Sequence, residues 1–215
     1  MTKIIVSLET QESLDSFPYF GKYVDGVKIN HLLWNELSFD VQEDKELFVD
    51  FKLWDTPNTV KTVVENIIEK GGTMTTISTF NCESVFDELE QYKDDIKLLA
   101  VTYLTSWNKD EQYQICREMP DFMWRRHLSR VKGFYGVVCS ALDIGMLSGA
   151  DKKLKRVCPG IALPIKRGAP SGQVRVTTPK EAKKLGADYL VIGRTITESK
   201  DPVGIVKNIR EQLAP

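Results

Sequence analysis

The chain has 215 residues, 42% of them hydrophobic and 27% charged, with a formal net charge of -1. That length supports one substantial core, and the even composition predicts a single domain over 1–215. Near-neutral charge, with basic residues spread along the chain, excludes the electrostatic footprint of a nucleic-acid or anionic-membrane binder. No apolar run approaches the roughly 20 residues of a membrane span, so the protein is expected to be cytoplasmic.

Short apolar runs with β character recur at Ile4–Leu8, Gly26–Ile29, Leu47–Phe51, Met74–Ile77, Leu98–Tyr103, Phe134–Cys139, Arg156–Cys158 and Tyr189–Ile192. Segments with helical spacing lie between and after them: Ser13–Tyr19, His31–Leu37, Pro57–Lys70, Cys82–Tyr92, Asp110–Val131, Ala141–Leu147, Pro179–Leu185 and Pro202–Leu213. Strand–helix alternation repeated eight times in a chain of 215 residues predicts an α/β fold, a closed (β/α)8 TIM barrel, rather than an open doubly wound sheet. The glycine fingerprint of a dinucleotide fold is absent after the first strand.

In such a barrel the chemistry gathers where strands end. Those ends carry Glu9, Lys28, Asp50 with Lys52, Ser78, Thr105 with Ser106, Ser140, Pro159 with Gly160, and Gly193 with Arg194. Charged groups converging on one mouth cost desolvation energy unless they serve a ligand or each other, so the pattern marks a site. The segment Asp50-Phe-Lys-Leu-Trp-Asp-Thr-Pro-Asn-Thr-Val60 is the densest part of it. Period-two alternation sends Asp50 and Lys52 to one face, Asp55 follows on the loop, and Thr56-Pro57 opens a helix. Near the C-terminus, Gly193-Arg194 follows the last strand, and a Gly/Pro-rich run at 162–175 follows the one before. A glycine that permits close approach beside a bidentate arginine suits a phosphate at the strand 7–8 corner.

Four cysteines, Cys82, Cys116, Cys139 and Cys158, stand far apart, with only His31 and His127 to help build a metal site. They are expected to be buried or half-buried thiols in a reducing compartment. Trp34, Trp107 and Trp124 are expected as packing anchors rather than stacking platforms.

Asp50-x-Lys52-x-x-Asp55-Thr-Pro-Asn-Thr59 resembles the signature of the orotidine 5'-phosphate decarboxylase family, with Thr56 where that family carries Ile. The resemblance continues through Pro159-Gly160-Ile161, Gln173, Arg175-Val176, Thr178-Pro179, Gly186 to Thr197 and Asp201-Pro202, and in the middle through Ala100–Ser106 and Gly136–Ala141. It implies decarboxylation of orotidine 5'-phosphate to uridine 5'-monophosphate, the last step of pyrimidine synthesis, without metal or organic cofactor. It implies further that Lys28, Asp50, Lys52 and Asp55 form the catalytic charge network, with Asp55 and Thr59 completing the partner's site in a homodimer. Glu9, Ser106, Pro159, Gln173, Gly193 and Arg194 are the implied substrate contacts: ribose for Glu9, pyrimidine for Ser106, phosphate and base for Gln173, phosphate for Arg194. Glu9 stands where the family has Asp, and Trp54 and Ser78 where many members have His. Two rival readings are a magnesium-dependent sugar-phosphate decarboxylase or aldolase on the same scaffold, and a phosphate-binding barrel without turnover. An acidic residue takes the Lys28 position in the metal-dependent relatives.

Overall fold

Eight parallel strands pair in chain order and the last closes on the first. They are β1 Lys3–Ser7, β2 Gly26–Ile29, β3 Glu46–Leu53, β4 Met74–Ser78, β5 Lys97–Val101, β6 Gly136–Val138, β7 Lys155–Cys158 and β8 Tyr189–Ile192. The helices are α1 Gln11–Phe20, α2 Pro57–Glu69, α3 Glu83–Leu89, α4 Lys109–Cys116, α5 Pro120–Leu128, α6 Pro179–Leu185, α7 Arg194–Thr197 and α8 Pro202–Gln212. This computed structural model describes residues 1–36, 41, 44–117, 120–131, 133–149, 153–163 and 175–214. The fold is the expected single-domain (β/α)8 barrel. Among the described residues no helix is long and apolar enough to cross a membrane.

Local chemistry explains the helix boundaries. Thr178 and Glu181 cap the start of α6 reciprocally, Pro179 occupies its first turn, and Gly186 ends it at φ 102°. Asn108 and Glu111 form the same box at α4. Thr56 occupies the N-cap of α2 without capping it; its hydroxyl meets that of Thr59 at 2.9 Å.

Four expectations need correction. His31–Leu37 is not helical: residues 31–36 form turns, and Leu37 lies outside the described residues. The long helix expected over Asp110–Val131 is two, because Arg117 ends α4 in the left-handed region at φ 54° and Pro120 opens α5. Ala141–Leu147 belongs to a 3-10 helix over Ala141–Gly149. Cys82 is exposed; Cys139, just past β6, and Cys158, at the end of β7, are buried as expected, with their sulfurs 4.0 Å apart. The Cys116 side chain lies outside the described set.

Two apolar layers follow from strand alternation. Ile5, Phe48, Met74, Leu99, Val157, Tyr189 and Val191 fill the barrel interior, while the opposite strand faces pack against the helices. Trp124 is buried in that outer layer, and Trp34 and Trp107 pack on it, so all three are the expected anchors. Close strand contact demands glycine at two positions. A Cβ on Gly26 would stand 2.6 Å from the Glu46 carbonyl oxygen, and one on Gly136 would stand 2.5 Å from that of Lys155.

The floor of the barrel is ionic. Glu46, buried at the start of β3, accepts from Lys97 Nζ at 2.6 and 2.7 Å, from Thr73 Oγ1 at 2.8 Å and from Lys3 Nζ at 3.3 Å. Lys97 and Lys3 also lie over the rings of Tyr135 and Tyr189, whose hydroxyls meet at 2.6 Å. Burial alone would push the Glu46 carboxyl up, but the Lys97 and Thr73 hydrogen bonds and the two ammonium charges outweigh it and hold it below its ordinary 4.5.

A carboxyl depressed in the folded state contributes stability that is complete above its unfolded value and is lost as pH falls through the folded one. Glu46→Gln should therefore cost about 2 kcal/mol at neutral pH, less than a fully buried pair because both lysines keep partial solvent. The gap from wild type should narrow in acid below 4.5. Urea denaturation at the two pH values checks this, and a gap of equal size at both would remove Glu46 from the acid response.

Candidate active site

At the opposite end of the barrel, β2 and β3 deliver three charges to one point. Asp50 Oδ2 lies 2.9 Å from Lys52 Nζ and 3.3 Å from Lys28 Nζ. Asp50 and Lys28 are largely enclosed, at 14% and 11% side-chain exposure, whereas Lys52 is open at 43%. Burial by itself would push the Asp50 carboxyl up. The Lys28 and Lys52 charges, with hydrogen bonds from Lys52 and Thr76, outweigh that and keep it below the usual carboxylate value. The centre is thus an ionised carboxylate between two ammonium groups, one of them facing the mouth.

The backbone that makes this possible is irregular. Val49 pairs with Thr75 and Leu53 with Ile77, so four steps along β3 run against two along β4. That is a bulge, and within it Lys52 takes φ 52°, a left-handed conformation costing a side-chain-bearing residue about 1–2 kcal/mol. Thr76 Oγ1 supplies the missing ladder partner. It accepts from the Lys52 backbone N–H at 2.8 Å and donates to Asp50 Oδ1 at 2.9 Å. One hydroxyl therefore holds the strained backbone of one charged residue and aims the side chain of the other.

The remaining expected residues surround this centre in different states. Glu9 is exposed just past β1 and accepts from Ser7 Oγ at 3.2 Å, and Ser7 pairs with Lys28 in the sheet. Asp55 is exposed and makes no ion pair among the described residues. Its backbone N–H donates to Asn81 Oδ1 at 3.2 Å, and its Oδ1 accepts from the Thr56 N–H at 2.6 Å. Thr59 is exposed one turn further along α2, and Ser106 is exposed in the turn beyond β5. Pro159 is half-buried directly after β7. Arg194 is exposed at the start of α7, a four-residue helix the sequence did not suggest, with Gly193 as its N-cap. A Cβ on Gly193 would meet Ser7 at an ordinary 3.5 Å, so packing within the chain does not require glycine there. Gln173 lies outside the described residues.

The chain itself thus brings together Lys28, Asp50 and Lys52 and leaves Asp55 facing solvent. Sequence reading missed Thr76, which carried no signal because its role depends on cross-strand register. It also missed Asn81, whose amide donates at 2.9 Å to the carbonyls of Leu53 and Ser78 and so fixes the loop bearing Asp55. No described group of His, Cys, Asp and Glu has the arrangement to hold a metal ion.

Fold and site together define a (β/α)8-barrel protein with a lysine–aspartate–lysine centre at the C-terminal mouth. A profile of the Orotidine 5'-phosphate decarboxylase / HUMPS family matches residues 2–209, and the chain belongs to that family. Orotidine 5'-phosphate decarboxylase of Aquifex aeolicus is 38% identical over 210 residues, covering 93% of this chain and 90% of the relative. That of Shewanella sediminis is 38% identical over 219 residues, covering 97% and 92%. The crystal structure of orotidine 5'-phosphate decarboxylase from Lactobacillus acidophilus superposes with a TM-score of 0.77 at 26% identity over the full length of both chains.

Thr76→Val keeps the shape of the side chain but strands two polar groups, the Lys52 N–H and Asp50 Oδ1. Leaving buried groups short of a partner costs about 1–3 kcal/mol. A drop of that size in chemical-denaturation stability is expected, and an unchanged midpoint and slope would show that the bulge stands without Thr76.

Proposed function

We propose that the protein decarboxylates orotidine 5'-phosphate to uridine 5'-monophosphate without metal or organic cofactor, the closing step of pyrimidine synthesis, as a cytoplasmic homodimer. The observation that carries this reading is the Lys28–Asp50–Lys52 centre, standing at the barrel mouth of a chain whose relatives bear that name.

The reaction needs little else from the protein. Departure of CO2 from C6 of the pyrimidine leaves the bond's electron pair on that carbon, with no conjugated sink to receive it. The site must therefore stabilise localised negative charge and then protonate it. Lys52, half-exposed toward the mouth and held against Asp50, does both: its ammonium faces the forming carbanion and transfers a proton to C6. Asp50 sits where the leaving carboxylate would crowd it, which penalises the substrate's charge more than the transition state from which that charge departs. Lys28 keeps Asp50 ionised and Asp50 keeps Lys52 aimed.

Contacts far from C6 supply the binding energy that holds this geometry. Arg194 and Gln173 are assigned to the phosphate, Gly193 to close backbone approach beside it, Glu9 to the ribose, Ser106 to the base, and Pro159 to the wall of the pocket. Asp55 and Thr59 are assigned to the partner's site. The exposure of both, and the lack of any ion pair at Asp55 among the described residues, supports that assignment.

The magnesium-dependent alternative is disfavoured by charge. Two ammonium groups within 3.3 Å of Asp50 already neutralise the carboxylate a divalent cation would use and would repel the cation. The direct test is ultraviolet assay of orotidine 5'-phosphate turnover in the presence of EDTA. Turnover under chelation is expected; turnover only with added Mg2+, or only of a sugar phosphate, would overturn the proposal. In the same assay Lys52→Ala should abolish decarboxylation while uridine 5'-monophosphate still binds, because the phosphate contacts lie elsewhere.

The shared site has its own test. Inactive Asp55→Ala and Lys52→Ala homodimers, mixed under subunit exchange, should form heterodimers in which one site carries both lesions and the other neither. About half of the mixed dimers' sites then regain activity. Heterodimers confirmed by mass that stay inactive would return Asp55 to its own chain's site.

A further inference from the structure

A second buried carboxylate stands apart from the Asp50 centre. Asp143, in the 3-10 helix Ala141–Gly149, is only 1% exposed. Its carboxylate takes both arms of the Arg175 guanidinium, Nη1 on Oδ2 at 2.8 Å and Nη2 on Oδ1. Tyr103 Oη donates to the same Oδ2 at 3.1 Å and accepts from Trp124 Nε1 at 3.2 Å. Burial pushes the Tyr103 hydroxyl up and the Asp143 charge adds to it, so Tyr103 stays a donor.

The position of this network matters more than its strength. Tyr103 lies at the exit of β5, three residues before Ser106, and Asp143 follows the exit of β6. Arg175 leads into Thr177, which is laced to the exit of β7: Thr177 N–H donates to the Gly160 carbonyl and the Ala162 N–H donates to the Thr177 carbonyl, both at 3.0 Å. Trp124 anchors the group to α5. One carboxylate therefore ties three consecutive strand exits together, on the side of the mouth away from β3. A buried ion pair is a poor means of adding stability, since apolar packing of the same volume does as well or better. What a bidentate fork supplies is a fixed direction.

We propose that Asp143 is a positioning residue, acting through Arg175 and Tyr103 to set the β7 exit, with Pro159, against the β5 exit, with Ser106, in the geometry that grips a nucleoside 5'-monophosphate. The inference deepens the decarboxylase reading and rests on it for the identity of the ligand.

The test uses Arg175→Lys, which keeps the charge and loses the fork, Tyr103→Phe, and the double variant Asp143→Asn/Arg175→Gln, which leaves no buried charge unpaired. KM and kcat for orotidine 5'-phosphate, normalised to folded protein by circular dichroism, are measured alongside calorimetric Kd for uridine 5'-monophosphate. Arg175→Lys and the double variant should raise KM and Kd about 10-fold or more, with kcat changed less than about 3-fold. Tyr103→Phe should shift both constants in the same direction by less. A purely structural role would lower the melting temperature but leave KM and Kd of the folded fraction at wild-type values, and that result overturns the proposal. A wild type that binds the nucleotide through this pair but turns nothing over would instead sink the decarboxylase reading and keep the positioning role. A wild type that does neither overturns both.

Discussion

Everything at the mouth of this barrel depends on keeping Asp50 ionised inside the protein. An isolated carboxylate there would take up a proton rather than bear the loss of its hydration. Two lysines from adjacent strands and one threonine hydroxyl reverse that balance. The backbone accommodates the arrangement by breaking the β3–β4 register and placing Lys52 in a conformation that non-glycine residues avoid. Strain of that kind persists only where its surroundings hold it. Here the holder is Thr76, which touches both the strained amide and the carboxylate it serves.

The two ends of the barrel solve the same electrostatic problem to different effect. On the floor, Glu46 is saturated by two lysines, a hydroxyl and flanking aromatic rings, which leaves it nothing to offer a ligand. At the mouth, Lys52 is left open. The division matches the general rule that chemistry sits at the C-terminal ends of barrel strands and stability at the other. It follows from which charges are closed off rather than from how many there are.

Much of this was legible in the chain. Strand positions followed from apolar runs, and Lys28, Asp50 and Lys52 stood out because charged residues ended those runs. Harder features shared one cause: they depend on register or on partners distant in sequence. Thr76 looks like any strand threonine until β4 is laid beside a bulged β3. Asp143 and Arg175 are 32 residues apart, and nothing local in either marks the other. The run after β2 carries helix-like spacing in Trp34 and its neighbours, yet tertiary packing wins: the Trp34 and Phe51 rings pack nearly perpendicular with centroids 5.6 Å apart, and residues 31–36 form turns. Arg194 was recognised as a candidate anion ligand, but the single helical turn it opens is too short for a periodicity to show.

The cysteines give the chain a built-in gauge of its own opening. Cys82 stands in solvent at the start of α3, whereas Cys139, just past β6, and Cys158, at the end of β7, lie side by side beneath the helices. The neighbouring Cys158 sulfur and burial push the Cys139 thiol well up, so in the closed barrel it stays a protonated, unreactive thiol. An alkylating reagent therefore meets Cys82 at a rate set by chemistry and the inner pair at a rate set by how often the β6–β7 wall comes apart. The ratio of the two labels, read by mass on one molecule, separates the breathing of the barrel wall from the intrinsic reactivity of a thiol without any engineered probe.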